Sequence, residues 1–589
     1  MSHLKMYYKV KPASYPENYG RFTLRKYDGT EQDRKTWFDL CKEGILCDNE
    51  VDVEETFAQR ISDREGYSPE NVFFVEKEGK TMATMTILLE ENNMGYLHMV
   101  SASPRYKGQG VGKYLADCAA AVLYEKGCTA CTLDTQEYRV AALRSYLRAG
   151  FKPVLHEDDM EERWTKWLTD HNYANVEAVD LDGNFVKTLC PGEAKKKVKV
   201  GVFGARRGAS IAQGFVVTEN AYISAVCDCD ETTFRDIAVY CQDDTKYFTD
   251  FDEFIDSGMD AVILANYFHE HAKYAIIALE KGIHVYSETL PAVTMADCVA
   301  ICRASEKSGA YYMLAENYAY FPSIIRLREL YQEGSYGKAL YTEGEYVHPM
   351  SREEYVHYTP TIDHWRAQMP SGYYMTHALA PLMMVTDDIP VAVNARSIYC
   401  DGMFPEREGE PVKDIGSIML CTMDSGSLAR ITGWAKFGGH GVWYRFACEK
   451  GRLETLRGDE SVIRLNYNRW EIPEGKEEDT TEKVALSTNE KAMICGHAGG
   501  DYYAAEEFVN CILENRQPYI HAYRSCAMAA VGILGWRSSL NNGAEYKIPD
   551  FSNEEERKVY ENDILSPFAD ENGVINYPRT KYEADKFDI

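Results

Sequence analysis

No run of about 18 apolar residues occurs in the 589-residue chain, so no membrane-crossing helix is predicted. Cations are the minority charge: 64 Lys and Arg stand against 92 Asp and Glu, a formal charge of −28. That balance argues against a nucleic-acid backbone or an anionic membrane as partner. The 17 cysteines follow no framework spacing, which fits a reducing compartment better than a secreted scaffold. The opening MSHLKMYYKVKPASYPEN is neither a secretory signal nor an Arg-rich transit sequence. A cytoplasmic protein is therefore expected. Internal repeats and low-complexity tracts are also missing. What remains is an ordinary globular balance, 45% hydrophobic and 26% charged, over a length that asks for roughly two to four domains.

Three textures follow one another. Residues 1–170 hold the strand-like runs Asn71–Glu76, Thr81–Leu89 and Gly95–Ser101, then a glycine turn and the apolar helix Val111–Tyr124. Residues 171–197 are polar and irregular, and read as a linker ending in lysines. From Val198 short apolar strands alternate with helical periods: Val198–Phe203, Tyr222–Cys227, Ala261–Ala265, a helix through Leu279, then His284–Tyr286. That alternation predicts right-handed βαβ units and a doubly wound parallel sheet over 198–320. Longer alternating strands such as Gly416–Met423 and Ser427–Thr432 predict an α+β domain with a mostly antiparallel sheet over 321–550. Residues 551–589 read as a loosely held polar tail. The fold class is multidomain α/β.

Two glycine turns open helices. Lys107-Gly-Gln-Gly-Val-Gly112 follows a strand, and its free N–H groups and helix dipole suit a pyrophosphate. Gly204-Ala-Arg-Arg-Gly-Ala209 follows strand Val198–Phe203, with Arg206 at the second glycine position of G-x-G-x-x-G and Ala209 at the third. Asp228 ends the next strand, where a carboxylate accepts from an adenosine ribose and repels a 2′-phosphate. NAD is favoured over NADP. Cys128-Thr-Ala-Cys131 lies in an apparent strand without a second pair, so it reads as buried cysteine. His269 and His271 form H-x-H with no third ligand at useful spacing, and no metal site is predicted.

The first turn, together with Ala142-Leu-Arg-Ser-Tyr146-Leu-Arg-Ala-Gly150-Phe151, resembles the GNAT acetyltransferases. The resemblance implies acetyl-CoA as cosubstrate, with backbone near Val100 on the acyl carbonyl. It further implies Gly108, Gly110 and Gly112 on the pyrophosphate and Tyr146 as proton donor to the departing thiolate. Lys107 and Arg139 depart from the residues that family prefers.

His271–Val285 leading into Ser287-Glu288-Thr-Leu-Pro291 resembles the Gfo/Idh/MocA oxidoreductases. Gly204, Arg206, Gly208, Asp228, Asn266, His271 and Glu288 are then the implied NAD contacts. The lysine of that family's Glu-Lys-Pro turn is absent. Four further stretches resemble the NAD-dependent α-N-acetylgalactosaminidase branch: Glu316-Asn317 with Tyr320, Tyr346-Val-His348, Tyr374-Met-Thr-His377, and Gly496-His497 with Asp501.

That resemblance implies transient oxidation at the sugar C3, with His377 serving the C3 hydroxyl proton and Tyr346 the C2 proton. His348 would assist at C1 or bind substrate, and Glu316 would hold a sugar hydroxyl or orient a partner. Asn317 and Tyr444 are further implied substrate contacts. Homo-oligomers are expected from the family, and the fusion implies that both halves meet one small substrate, an amino sugar. Two alternatives stay open: a sugar dehydrogenase that exchanges NAD, and a sensor with vestigial nucleotide sites.

Overall fold

The computed structural model describes residues 3–587, apart from 17–21, 43–44, 47–49, 78, 104–110, 172, 193–196, 363, 401–406, 408–409, 411, 436, 485–488 and 571. The chain divides into two compact units, Met1–Lys196 and Lys197–Ile589.

The first unit is built on β1 (Leu4–Lys9), β2 (Thr23–Lys26), β3 (Val72–Lys77), β4 (Lys80–Glu90), β5 (Met94–Ala102), β6 (Ala130–Thr135) and β7 (Lys152–Pro153). They form one sheet in the order β2-β3-β4-β5-β6-β1-β7. The helix Val111–Glu125 buries Leu115, Cys118 and Val122 against it. Cys128 and Cys131 are free and buried in that same core.

Residues 171–197 differ from the expected linker. Strands β8 (Val176–Val179) and β9 (Phe185–Leu189) form a hairpin, and Leu155 N donates to Val179 O at 2.9 Å. Ala178 and Leu189 join the core of the first unit. Alternation in Val-Glu-Ala-Val, followed by a tight Asp180–Asn184 turn, is enough for a short hairpin once a neighbouring edge exists.

In the second unit, β10 (Val198–Phe203), β11 (Ala221–Cys227), β12 (Cys241–Phe248), β13 (Ala261–Leu264), β14 (His284–Ser287) and β15 (Tyr312–Leu314) form a parallel sheet. Its order is β12-β11-β10-β13-β14-β15, the doubly wound arrangement expected from the alternation. The remaining strands are β16 (Ala339–Val347), β17 (Pro390–Tyr399), β18 (Asp414–Met423), β19 (Leu428–Trp434), β20 (Gly441–Cys448), β21 (Gly451–Leu456), β22 (Asp459–Tyr467), β23 (Asp479–Lys483) and β24 (Tyr546–Lys547). They make a nine-stranded sheet, β23-β22-β21-β20-β16-β19-β18-β17-β24, antiparallel except between β16 and β19. The helices Thr376–Thr386 and Ala522–Leu540 are buried along nearly their whole length over one face.

The C-terminal residues are not a loose tail. Phe568 and Tyr577 are buried, the Trp536 indole donates to Pro578 O at 2.9 Å, and Arg537 pairs with Asp563 at 2.6 Å. A polar composition concealed this because buried arginines and a few spaced aromatics anchor the segment.

Candidate active site

A cleft of about 1620 Å³ runs through the second unit. One end lies at the C-terminal ends of the neighbouring strands β10 and β13, the switch point at which doubly wound sheets bind nucleotides. Gly204 turns there with φ +91, and a Cβ on it would stand 2.4 Å from Ala265 O. Only glycine fits. A Cβ on Gly208 would meet Val202 Cγ1 at 2.4 Å, so this glycine lets the helix pack closely on strand β10. Arg206, Arg207 and Ser210 line the cleft from the helix Ala205–Val217, whose first turn carries no acid. Asp228 also lines it, half-buried, accepting from Ala205 N at 2.7 Å. Asn266 Oδ1 is buried without a partner at the end of β13. Helix N–H groups with two guanidiniums for a pyrophosphate, and a carboxylate for a ribose, fit a dinucleotide.

Glu288 reaches Arg207 and its own neighbour Thr289 N. Burial raises its carboxyl, but the Arg207 guanidinium outweighs that and holds it below the usual carboxylate range. His271 departs from the expected cofactor contact. It is 1% exposed, and its ring nitrogens face Leu290 O at 2.9 Å and Asn266 O at 3.2 Å. It ties the turn after β13 to the Glu288–Pro291 turn through these two carbonyls.

Farther along the cleft stands the group implied for chemistry. Gly344 and Tyr346 share a face of β16, and a Cβ on Gly344 would lie 1.9 Å from Ala378 O. The glycine lets helix Thr376–Thr386 settle on the strand. That contact puts the His377 ring 4.6 Å from Tyr346 and 4.6 Å from Tyr318. Glu316, fully buried just after β15, bonds His377 Nδ1 at 2.6 Å. Glu316 therefore orients His377, and its other oxygen, Oε2, is buried without a partner.

Tyr444 differs from the expected substrate contact. It is paired with Gly344 in register, is 1% exposed, and donates to His377 O at 2.7 Å. It fixes the backbone of His377 from behind. His348 lies exposed at the end of β16, its ring 6.2 Å from Tyr346. Burial pushes the Tyr346 phenol up, with Tyr374 adding to the effect, so it rests protonated.

Asn317 lines the cleft but gives its Nδ2 to Asp501 at 2.8 Å, and Asp501 bonds His497 Nδ1 at 2.9 Å. Tyr318, Tyr374, Arg207 and His497 face the cleft as well and were not among the expected site residues. Tyr374 and His497 lie inside the stretches that carried the resemblance, so position in a motif was the one available signal. The same signal was present for Arg207, inside the Gly204–Ala209 turn, and for Tyr318, between Asn317 and Tyr320.

In the first unit, β5 pairs with β6 only from Met94↔Ala130 to Tyr96↔Thr132, and the two strands then part. A bulge against β4 falls between Thr84 and Thr86, beside Met99 at φ +48, and interrupts the ladder at Val100. Gly112 abuts the helix Val140–Arg148, its added Cβ reaching Ser145 Oγ at 3.0 Å. Tyr146 is 8% exposed against Phe151, with ring centroids 5.7 Å apart. Burial raises its phenol, which stays protonated at neutral pH. Gly108 and Gly110 lie outside the described residues.

Comparison with known families decides the assignment. Residues 35–151 match the acetyltransferase (GNAT) family, 198–316 the oxidoreductase family with an NAD-binding Rossmann fold, and 441–557 the glycosyl hydrolase 109 C-terminal domain. The chain is a GNAT domain joined to a Gfo/Idh/MocA oxidoreductase body.

The body is similar to a glycosyl hydrolase family 109 protein of Shewanella putrefaciens, 23% identical over 396 residues, covering 60% of this chain and 85% of that one. An alpha-N-acetylgalactosaminidase of Shewanella oneidensis is 22% identical over 397 residues, with the same coverage of 60% and 85%. Among solved structures, levoglucosan dehydrogenase in complex with NADH shares the fold of the oxidoreductase body. Its TM-score is 0.53 at 16% identity, covering 60% of this chain and 100% of that one. An oxidoreductase domain protein from Kribbella flavida gives 0.51 at 20% identity, covering 60% and 100%. No described helix is long and apolar enough to cross a membrane.

Proposed function

We propose that the oxidoreductase body cleaves a glycoside through transient oxidation at C3, with no net change in NAD, and that the GNAT domain acetylates an amine from acetyl-CoA. The observation that carries the first reading is the buried Glu316–His377 pair, set beside Tyr346 and His348 in the cleft that holds the nucleotide turn. Thr289 stands where an ordinary dehydrogenase of the family has its lysine, which weakens a simple oxidation. The names of the Shewanella relatives support the same reading and point to an N-acetylgalactosaminide.

Gly204, Arg206, Arg207 and Asp228 would hold NAD, which when bound supplies an acceptor that takes a hydride and gives it back. His377 takes the C3 hydroxyl proton, and Glu316 steadies the imidazolium that forms. A C3 ketone acidifies the C2 proton. Tyr346 accepts that proton as its own passes to His348, and His348 delivers it to the departing oxygen at C1. Water addition runs these proton moves backwards. Two carboxylates placed across the glycosidic bond are not needed.

In the GNAT domain, the parted β5 and β6 strands support an acyl-CoA cleft, and Tyr146 donates its phenol proton to the leaving thiolate. An amino sugar would join the two activities on one substrate. Free thiols at every described cysteine support a cytoplasmic setting. Exposed Leu340, Ile418, Leu420 and Leu428 on the nine-stranded sheet support a homo-oligomer.

The test is turnover of an aryl N-acetyl-α-galactosaminide in deuterium oxide. Aglycone release without NADH build-up, and deuterium at C2 of the sugar, are expected. NADH accumulating in step with a keto sugar, with no aglycone released, would make the body a dehydrogenase.

A further inference from the structure

The cleft holds a second imidazole seated on a buried carboxylate, and the steps above leave it unused. Three consecutive residues after β15 set it up. Glu316 bonds His377, Asn317 gives its Nδ2 to Asp501 at 2.8 Å, and Tyr318 lies 4.6 Å from the His377 ring and 6.0 Å from the His497 ring. Asp501, almost fully buried, bonds His497 Nδ1 at 2.9 Å. A carboxylate only accepts, so Nδ1 carries a proton. The His497 side chain is 36% exposed in the cleft wall, and among the described residues its Nε2 has no partner.

The backbone is bent to hold the ring there. His497 and Ala498 both have φ +52, and Gly499 follows at φ +92. Left-handed backbone at residues that carry a Cβ is costly, and it persists where the surroundings fix it. The surroundings here are two glycines that admit the carboxylate. A Cβ on Gly496 would stand 2.6 Å from Asp501 Oδ2, and one on Gly500 would stand 2.6 Å from Asn317 O.

The bond to Asp501 outweighs the burial of His497 and holds its ring above the ordinary value; Glu288 adds to that and Arg207 opposes it. These two charges belong to the nucleotide end of the cleft. Tyr318 belongs to the other end, packed on His377 and 5.4 Å from Tyr346. Hydride transfer needs the sugar C3 within reach of both the nucleotide and His377. The C3 oxygen is then the substrate group that lies between the two ends, as His497 does.

We propose that His497 is a catalytic hydrogen-bond donor, its Nε2–H directed at the C3 oxygen of the bound sugar, where it stabilises the enolate formed as the C2 proton leaves. This rests on the glycoside-cleaving reading. The C2–H bond breaks, its proton passes to Tyr346, and its electron pair moves through C2 and C3 onto the oxygen. The pair then returns, the C3 carbonyl re-forms, and the C1–O bond breaks as C1 and C2 become doubly bonded. His497 keeps its proton throughout. A donor fixed in advance at the oxygen where charge develops lowers that barrier and no other.

The experiment follows an aryl N-acetyl-α-galactosaminide, carrying deuterium at C2 or at C3, on the full chain with NAD bound. His497→Ala is expected to lower kcat by about 10²-fold, the usual cost of one lost donor to such an oxygen. Bound NADH should build up during turnover, and the isotope effect at C2 should rise while that at C3 shrinks. His497→Gln, which keeps a neutral donor, should recover part of the loss. An unchanged kcat, or hydride transfer and C2 exchange slowed equally without bound NADH, overturns the proposal.

If the wild type oxidises the sugar and releases no aglycone, the glycoside-cleaving reading fails. Exchange at C2 of the bound keto sugar in deuterium oxide then tests His497 alone: slower exchange in His497→Ala supports the donor, and equal exchange overturns it. A wild type that neither oxidises the sugar nor exchanges C2 overturns both.

Discussion

In the oxidoreductase body, the groups facing the cleft are tied in charged or charge-assisted pairs, Arg207 to Glu288, His377 to Glu316 and His497 to Asp501. In the GNAT domain β5 and β6 instead part after Tyr96↔Thr132, and Tyr146 packs on Phe151 as a neutral phenol. The difference follows from the chemistry each region is proposed to perform. Moving several protons around a sugar ring needs acids and bases held in fixed states, which buried pairs provide. Passing an acetyl group from a thioester needs backbone donors and one late proton, which strand geometry and a buried tyrosine provide.

The largest effect expected from this contrast is on the paired side. His377→Ala should lower glycoside turnover by about 10²-fold or more while NAD still binds, read by kcat alongside a binding titration. Loss of NAD binding with it would mean that the pair holds the nucleotide end of the cleft together. On the unpaired side, acetyl-CoA at about 100 times its Kd should stabilise the protein by about 3 kcal/mol in thermal melts. Gly110→Glu should erase that shift by setting a carboxylate against the pyrophosphate. A wild type that melts unchanged with acetyl-CoA would leave the GNAT domain without its cosubstrate.

A smaller effect belongs to Asp228. Asp228→Ala should narrow the preference for NAD over NADP by about 1–3 kcal/mol, measured as two Kd values. It should also weaken NAD itself, because Asp228 braces Ala205 N.

The smallest is a pH effect in the body. His497 is held above its ordinary value by its bond to Asp501, so its contribution is complete below about pH 6.5 and fades as pH rises through the raised value. Burial raises Asp501, but its bonds to His497 and Asn317 bring it below the ordinary carboxylate value. Its contribution is present above about pH 3.9 and lost as pH falls. Both act together between those limits. His497→Gln should flatten the decline of Tm from pH 6 to 8, by a small amount because the ring is partly solvated. An unchanged profile would show that the pair adds nothing to stability.

Much of the fold was legible because its signals are local. The strand Val198–Phe203 was placed residue for residue, and β11, β13 and β14 within one or two residues, since a βαβ alternation is written in short apolar runs. The hairpin at 176–189 and the packed C-terminus were not legible. Their stability comes from edges and pockets supplied elsewhere in the chain: Val154 for the hairpin, and Trp536 and Arg537 for the C-terminus. Among site residues, Glu316 and His377 were both named, but their bond joins positions 61 apart in sequence. Tyr444 shows the converse. Its chemistry suited a sugar contact, but its register opposite Gly344 turned it to the back of His377.

The sequence by itself determined which chemistries the chain carries: two glycine turns at helix starts, an acid at the end of β11, and a set of histidines and tyrosines in family-like order. Spacing along one strand or helix is enough for those, because periodicities of 2 and 3.6 set which side chains share a face. Only the tertiary structure decided which residues meet. The missing Cβ of Gly344 lets a helix from 376–386 rest on a strand from 339–347, and that approach makes Glu316, His377, Tyr346 and Tyr444 neighbours. It also sets His440 beside His348 at adjoining strand ends, an arrangement that strand order and register fix and that no local spacing records.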